Sequence, residues 1–381
     1  MQLQLPEPSA DARAASHSLQ HLIADEIRRC GGWISFARYM ELALYAPGLG
    51  YYSGGAAKLG KEGDFTTAPE ISPLFGATLA QLATELFQPD ALAIMEFGAG
   101  TGKLAFDILS ELRAAGKLPK EYCIVEISGQ LRARQQEVLS EFAQVRWLDS
   151  LPATFSGLVL GNEVLDAMPV QLVVKAEQGW LERGVSLTAQ EQFCFADQAC
   201  DQALVAQIPD ADTLPVGYLS EVHPIASGFM QALASMLQGQ RAAALLFDYG
   251  FPAREYYFAG RAQGTLMCHY RHHAHPDPFY LPGLQDVTAH VDFTAMALAG
   301  INAGLDLLGY TSQAGFLLTA GIGDLLLRTS PEQASAYLPQ ANAVQKLISP
   351  AEMGELFKVL ALGCNIEWPQ RLVAHDRSHR L

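Results

Sequence analysis

The sequence predicts an α/β fold: a mostly parallel sheet with helices on both faces. Three observations carry this. Short apolar stretches alternate with helical ones between about residues 91 and 161, the pattern of strand–helix–strand units. A glycine-rich turn, Gly98-Ala99-Gly100-Thr101-Gly102, follows the first of those strands and opens a helix. Half of the 381 residues are apolar and only 17% are charged, so a large core can be buried and disorder is disfavoured.

In chain order, Leu19, Leu22, Ile23 and Ile27 recur at helical spacing, and Gly31-Gly32 stop that helix. Ser35 caps a second, short helix carrying Phe36, Tyr39, Met40 and Leu44. A glycine-rich, aromatic loop occupies residues 48–70. Ser72-Pro73 then reads as a helix start, a cap followed by proline at the first helical position, for a helix running to about Phe87. Strands are expected at 91–97, 122–127, 144–148, 158–161 and 243–249, with helices at 104–112 and 131–142. Two segments depart from the alternation. Residues 171–216 look like a hairpin around Gln178-Gly179 followed by an Asp-rich stretch, and residues 276–343 like a Pro-rich loop followed by helices. The expected division is a helical cap over 1–88 and a main domain over 89–381, with a β insertion near 171–216 and a helical insertion near 276–343.

Composition excludes some functions. With 25 Lys+Arg against 40 Asp+Glu the net charge is −15, which argues against a nucleic-acid partner held through phosphates. The six cysteines form no Cys-x-x-Cys pair and read as thiols of a reducing compartment. The first residues lack a charged start followed by an apolar run, and Glu7 and Asp11 speak against a mitochondrial presequence. Residues 307–323, a long uncharged stretch, are interrupted by four glycines, so no spanning helix and no membrane partner are expected. A cytoplasmic protein is the expectation.

The glycine turn carries the sharpest chemical signal. Glu96 precedes it, and glycines at 98, 100 and 102 let the backbone turn tightly and approach a ligand with no Cβ in the way. The helix N-terminus beyond adds free N–H donors. A dinucleotide site would want a third glycine at position 103, which is Lys103. Glu126 closes the next strand, where an acid meets two ribose hydroxyls. Acid–x–GxGxG followed by an acid at the end of the second strand resembles the class I S-adenosylmethionine methyltransferases. Asp149, after the third strand, is placed either to meet an adenine or to cap a helix. After the fourth strand, Asn162, Glu163 and Asp166 cluster where catalytic groups of open α/β sheets sit.

The chain further resembles the MidA family, which includes the mitochondrial protein arginine methyltransferases needed for complex I assembly. The resemblance runs through Gly63-Asp64-Phe65-Thr66-Thr67-Ala68-Pro69-Glu70, the glycine loop and residues 161–169. It continues through Glu221-Val222-His223-Pro224, Asp248-Tyr249-Gly250, Gly264-Thr265, residues 286–293 and residues 353–357, nearly the whole chain in order. Thr67-Ala68 departs slightly, since the family more often has Ser after the Thr. The resemblance implies a Rossmann-like class I methyltransferase sheet with an N-terminal cap and two insertions. It also implies S-adenosyl-L-methionine as methyl donor and, in eukaryotic members, an arginine acceptor on a complex I subunit. A basic, arginine-bearing protein segment is therefore the expected partner. A small-molecule O- or N-methyltransferase and a non-catalytic assembly factor remain alternatives.

The expected donor-binding residues are Gly63, Asp64, Phe65, Thr66, Glu96, Gly98, Ala99, Gly100, Thr101, Gly102, Glu126, Asp149 and Asn162. The expected catalytic residues are Glu163 and Asp166, whose carboxylates suit a guanidinium, with Glu70 as an outside candidate that a helix N-terminal charge would equally explain. His223, His290 and Asp292 are candidates for substrate contact, with structural histidines and a helix-capping aspartate as the competing readings. The run His269, His272, His273 and His275 specifies no metal partner elsewhere and is read as a loop lining the site or a solvated turn before Pro276.

Overall fold

The computed structural model describes residues 5–54 and 66–381. It divides into two units. Among the described residues, one comprises residues 5–54, 165–229 and 251–295, and the other residues 66–164, 230–250 and 296–381.

The second unit holds the main sheet. Its strands, labelled in chain order along this sheet, are β1 (Ala93–Phe97), β2 (Glu121–Val125), β3 (Val145–Leu148), β4 (Gly157–Asn162), β5 (Ala242–Phe251), β6 (Asp306–Ser312) and β7 (Phe357–Cys364). They lie in the order β6-β7-β5-β4-β1-β2-β3. The pairs β5–β4, β4–β1, β1–β2 and β2–β3 are parallel, and β7 runs antiparallel to both β5 and β6. Every residue of β1 is buried, as expected of a parallel strand covered on both faces. The order reverses direction between β1 and β4, so the carboxyl ends of these two strands flank the switch point where open α/β sheets bind ligands.

Helices pack tightly on this sheet. The helix Pro73–Leu86, capped by Ser72 as the Ser-Pro pair predicts, buries Phe75, Leu79, Leu82, Ala83 and Leu86 in the same core as Ile94, Leu158 and Leu160. Where it meets the helix Lys103–Ala114, a Cβ on Gly76 would lie 2.7 Å from that of Asp107, so only glycine permits this approach. The helix Gly129–Val138 is mostly polar, and Gln135 is its one buried residue.

The first unit begins with the helix Ala10–Arg29, the strand Trp33–Ser35 and the helix Phe36–Tyr45, whose N-cap is Ser35 as expected. An antiparallel sheet joins Trp33–Ser35, Gly179–Leu187, Gln171–Ala176 and Leu219–Val222, with Phe193–Ala199 pairing on Gly179–Leu187. Strands Met267–Tyr270, His273–His275 and Asp286–Thr288 form a smaller sheet. Leu19, Ile23, Ile27, Phe36, Tyr39 and Met40 pack with Val170, Leu172, Val185 and Val287.

This architecture departs from the expected organisation in two places. The expected boundary at 88/89 falls inside one core, because the helix Pro73–Leu86 belongs to the apolar cluster of the main sheet. The expected helical insertion near 276–343 contains the strand Asp286–Thr288 of the first unit and β6 of the second. Its helices are Phe293–Asn302, Gln313–Ala320, Ile322–Leu326 and Ala334–Ile348. Pairing with β7 turns the Leu/Gly run of β6 into an edge strand, with an irregularity between Leu307 and Gly309.

Candidate active site

In the unit of the main sheet, β1 delivers the glycine loop. Gly98, Gly100 and Gly102 all adopt left-handed backbone, with φ of 61°, 52° and 84°. A Cβ is strained at each, which accounts for three glycines at a spacing of two. Gly102 caps the helix Lys103–Ala114 and makes no side-chain capping bond, so the first-turn N–H groups have no capping side chain. Gly98 is exposed, Gly100 half-buried, and Ala99 and Thr101 buried. Thr101 donates its hydroxyl proton to Glu70 Oε1. Glu70 thus braces the glycine loop, a role that the sequence pattern alone did not separate from a catalytic one.

Glu126, at the end of β2, is half-buried. Its Oε1 accepts from the Ser128 N–H at 2.8 Å and its Oε2 from Gln135 Nε2 at 2.9 Å. Burial raises its pKa, and the donors from Ser128, Gln135 and Ile127 work against that rise. A carboxylate has about four lone-pair positions, so acceptor capacity remains for a ligand. Ile127 beside it is 73% exposed. Glu96 lies deeper: it is buried, accepts from the Tyr122 hydroxyl at 2.6 Å, and is pushed up to about 7 by burial, with Glu126 adding to the rise. The Asp149 carboxylate is largely exposed and pairs with Arg132. Thr66 is exposed. Gly63, Asp64 and Phe65, and the part of the glycine-rich loop before them, lie outside the described residues.

Asn162, the last residue of β4, and Glu163 and Val164 after it are half-buried. Glu163 has φ 54°, a left-handed backbone uncommon for a residue with a side chain. Its N–H donates to the Phe247 carbonyl at 2.8 Å, and its Oε1 accepts from Asn162 Nδ2 at 3.0 Å. The strand end therefore fixes both the backbone and the carboxylate of Glu163.

In the other unit Glu221, His223, Tyr256 and Thr265 share a polar network. Glu221 is 0% exposed and accepts four hydrogen bonds, from the Thr265 and Leu266 N–H groups and the Thr265 and Tyr256 hydroxyls. His223 is 3% exposed, bonds the Tyr256 hydroxyl through Nε2, and is pushed down to about 4 by burial. The His290 N–H donates to Thr265 Oγ1, and the half-buried His290 ring stacks on Phe251 with centroids 5.3 Å apart. Asp292 is buried, accepts from the Thr294 and Ala295 N–H groups that begin the helix Phe293–Asn302, and is raised to about 6 by burial. These bonds cap the helix, and the Tyr257 hydroxyl donates to the same carboxylate. Asp166 is 5% exposed, and its carbonyl accepts from the Ala289 N–H at 3.1 Å. Tyr51 is buried and Tyr52 donates to Asp286, which gives this aromatic pair a packing role. Among the described residues no three His, Cys, Asp or Glu side chains are grouped to hold a metal ion.

Residues 74–311 match the family described as "Putative S-adenosyl-L-methionine-dependent methyltransferase". The chain belongs to this family. It is 53% identical to a Burkholderia thailandensis protein whose crystal structure contains S-adenosyl-homocysteine, with a TM-score of 0.93 over 99% of this chain and 100% of that one. It is also 30% identical to the mitochondrial protein arginine methyltransferase NDUFAF7 of Mus musculus, over 93% of this chain and 86% of the relative. With the Bos taurus NDUFAF7 the identity is again 30%, over 97% of this chain and 87% of the relative. The methyltransferase has the class I fold, and its methyl donor is S-adenosyl-L-methionine. The donor fits the residues present: left-handed glycines clear the loop, a helix N-terminus without a side-chain cap lies behind it, and Glu126 retains acceptor capacity. No described helix is long and apolar enough to cross a membrane.

Sequence reasoning missed Gln135, Trp147 and Tyr122, which hold the acids and the loop in place. The available signal was the weak amphipathicity of residues 129–138, which offers no apolar stripe to explain why the helix docks.

Proposed function

We propose that this methyltransferase modifies an arginine of a protein substrate, such as a respiratory complex I subunit, and that Glu163 receives the guanidinium. The observation that carries the reading is Glu163 in left-handed backbone at the carboxyl end of β4, beside the strand that bears the glycine loop. Strained non-glycine residues persist where the surroundings hold them, and they concentrate at functional sites. The names of the curated relatives support an arginine acceptor, and the net charge of −15 favours approach of a basic segment. The six thiols are all free, which supports a reducing compartment such as the cytoplasm.

The bound donor supplies an electrophilic methyl on a sulfonium. Transfer would be an in-line displacement in which the N–C bond forms as the C–S bond breaks, so the chain's work is alignment. The sulfur would leave as a neutral thioether, and one guanidinium N–H proton would pass to solvent. In bidentate geometry one carboxylate engages two guanidinium nitrogens and leaves the third to face the methyl. Asn162 orients the Glu163 carboxylate for this. Asp166, three residues along, is the second carboxylate assigned to the acceptor. Gly98 to Gly102 and Glu126 hold the donor, with Glu70 bracing the loop through Thr101.

Mass spectrometry of the host proteome with and without the protein tests the acceptor. Loss of one or a few methyl-arginine sites on deletion, restored by the native chain and not by Glu163→Gln, is expected. An unchanged methyl-arginine inventory would overturn the arginine assignment in favour of a small-molecule acceptor.

A further inference from the structure

Gln135 is 0% exposed and sits on a helix whose other residues are not buried. A fully buried amide needs partners for both its donors and its acceptor, and here the partners come from three elements. Nε2 donates to the Gly100 carbonyl at 3.0 Å and to Glu126 Oε2 at 2.9 Å. Oε1 accepts from Trp147 Nε1 at 3.0 Å, on β3. The glycine loop also rests on this side chain, since a Cβ on Gly102 would lie 3.4 Å from Gln135 Cα and Cγ.

We infer that Gln135 is a positioning residue for donor binding, tying the glycine loop and the acid at the end of β2 into one geometry. The inference rests on the reading that Gly98–Gly102 and Glu126 bind the donor. The amide does two things that no apolar residue of its shape can. It fixes the Gly100 peptide, so that the loop presents its backbone in one orientation. It also donates to Glu126, which opposes the effect of burial and keeps that carboxylate ionised as an acceptor. Trp147 holds the amide in the orientation with Nε2 toward the loop, because its indole nitrogen can only donate. Flipping the amide would set the donor Nε2 against that indole N–H and the acceptor Oε1 against Gly100 and Glu126.

Calorimetry with S-adenosylhomocysteine, from about pH 8 to about pH 5.5, tests this on the full chain. Gln135→Leu should bind ~10–30-fold more weakly at the upper pH, the loss expected for one charged and one neutral hydrogen bond. Its deficit should widen on acidification, as the unsupported Glu126 takes up a proton sooner. Gln135→Glu should show the opposite slope, a deficit that narrows on acidification as its own carboxyl becomes a donor. Trp147→Phe keeps most of the ring and removes the N–H; a loss of ~3-fold with the Gln135→Leu slope is expected, and it serves should Gln135→Leu not fold. Losses independent of pH in all three variants, or no losses, would overturn the positioning role. Glu126→Ala separates the two levels. If it binds as tightly as the parent, the donor-site reading fails and the inference with it. If it binds weakly while Gln135→Leu and Trp147→Phe match the parent, the inference alone fails.

Discussion

Glu126 and Glu221 are both carboxylates that accept from backbone N–H groups, yet their surroundings differ. Glu126 is half-buried, has donors from Ser128, Gln135 and Ile127, and keeps acceptor capacity. Glu221 has no exposure and accepts four. The first arrangement suits a ligand; the second suits a folded chain. Loss of the Glu221 carboxylate would leave buried donors without partners, whereas loss of Glu126 would leave Ser128 and Gln135 donors beside an exposed Ile127. Resemblance alone does not tell these uses apart, whereas exposure and spare bonding capacity do.

The contrast breaks most sharply at Glu221. Glu221→Ala strands two N–H groups and two hydroxyls, so chemical denaturation should show a loss of roughly 3–5 kcal/mol or no folded protein. A variant as stable as the parent but inactive would move Glu221 to the ligand-binding class.

Next come the acids after β4. Asp166→Asn and Glu163→Gln should each leave S-adenosylhomocysteine affinity within about threefold and cut turnover on an arginine substrate by ~100-fold, roughly 2.7 kcal/mol in the transition state. A parallel fall in donor affinity would make them donor ligands. Stability lost without a specific effect on turnover would place Asp166, which is 5% exposed, beside Glu221.

Acidity probes the two units in opposite directions. Glu96 is raised from 4.5 to about 7, so the stability its neutral form confers is present at low pH and lost as pH climbs through that interval. The stability advantage of Glu96→Gln over the parent, measured by denaturation at each pH, should therefore grow from about pH 4.5 to 7 and then level, reaching roughly 1–3 kcal/mol. His223 is lowered from 6.5 to about 4, so its contribution is intact above 6.5 and lost as pH falls toward 4. The advantage of His223→Gln should grow over that lower window instead. Flat difference curves would show that neither group titrates as its burial requires. The smallest effect belongs to Asp149. Its ion pair with Arg132 is largely exposed, so Asp149→Asn should change stability by less than ~0.5 kcal/mol in the same assay.

The parallel part of the main sheet was legible because its strands are short, apolar and separated by glycine or by caps such as Ser72. The strand β7 was not, since FKVLALGC carries no turn signal at its start and follows the short helix Met353–Leu356 directly. The β6 run reads as helix or loop until β7 pairs with it. The tight turn at Gly98, Gly100 and Gly102 was legible because left-handed backbone at each calls for glycine at fixed spacing. Gln135 was not, because its role depends on three partners brought together only by folding. Asp292 shows the reverse case, in which an acid beside a helix start serves the helix.

The left-handed backbone of Glu163 also bears on how this protein can be engineered. Glycine takes φ 54° without strain, so Glu163→Gly should be neutral or stabilising by up to ~1 kcal/mol, against the usual cost of glycine in a chain. Under the role assigned to its carboxylate, the same change would abolish turnover. A library selected for heat resistance alone would thus enrich dead molecules at this codon, and a screen that alternates thermal challenge with an activity gate would not. That makes position 163 a sentinel: its glycine frequency after each round reports how far selection has drifted from function toward mere persistence.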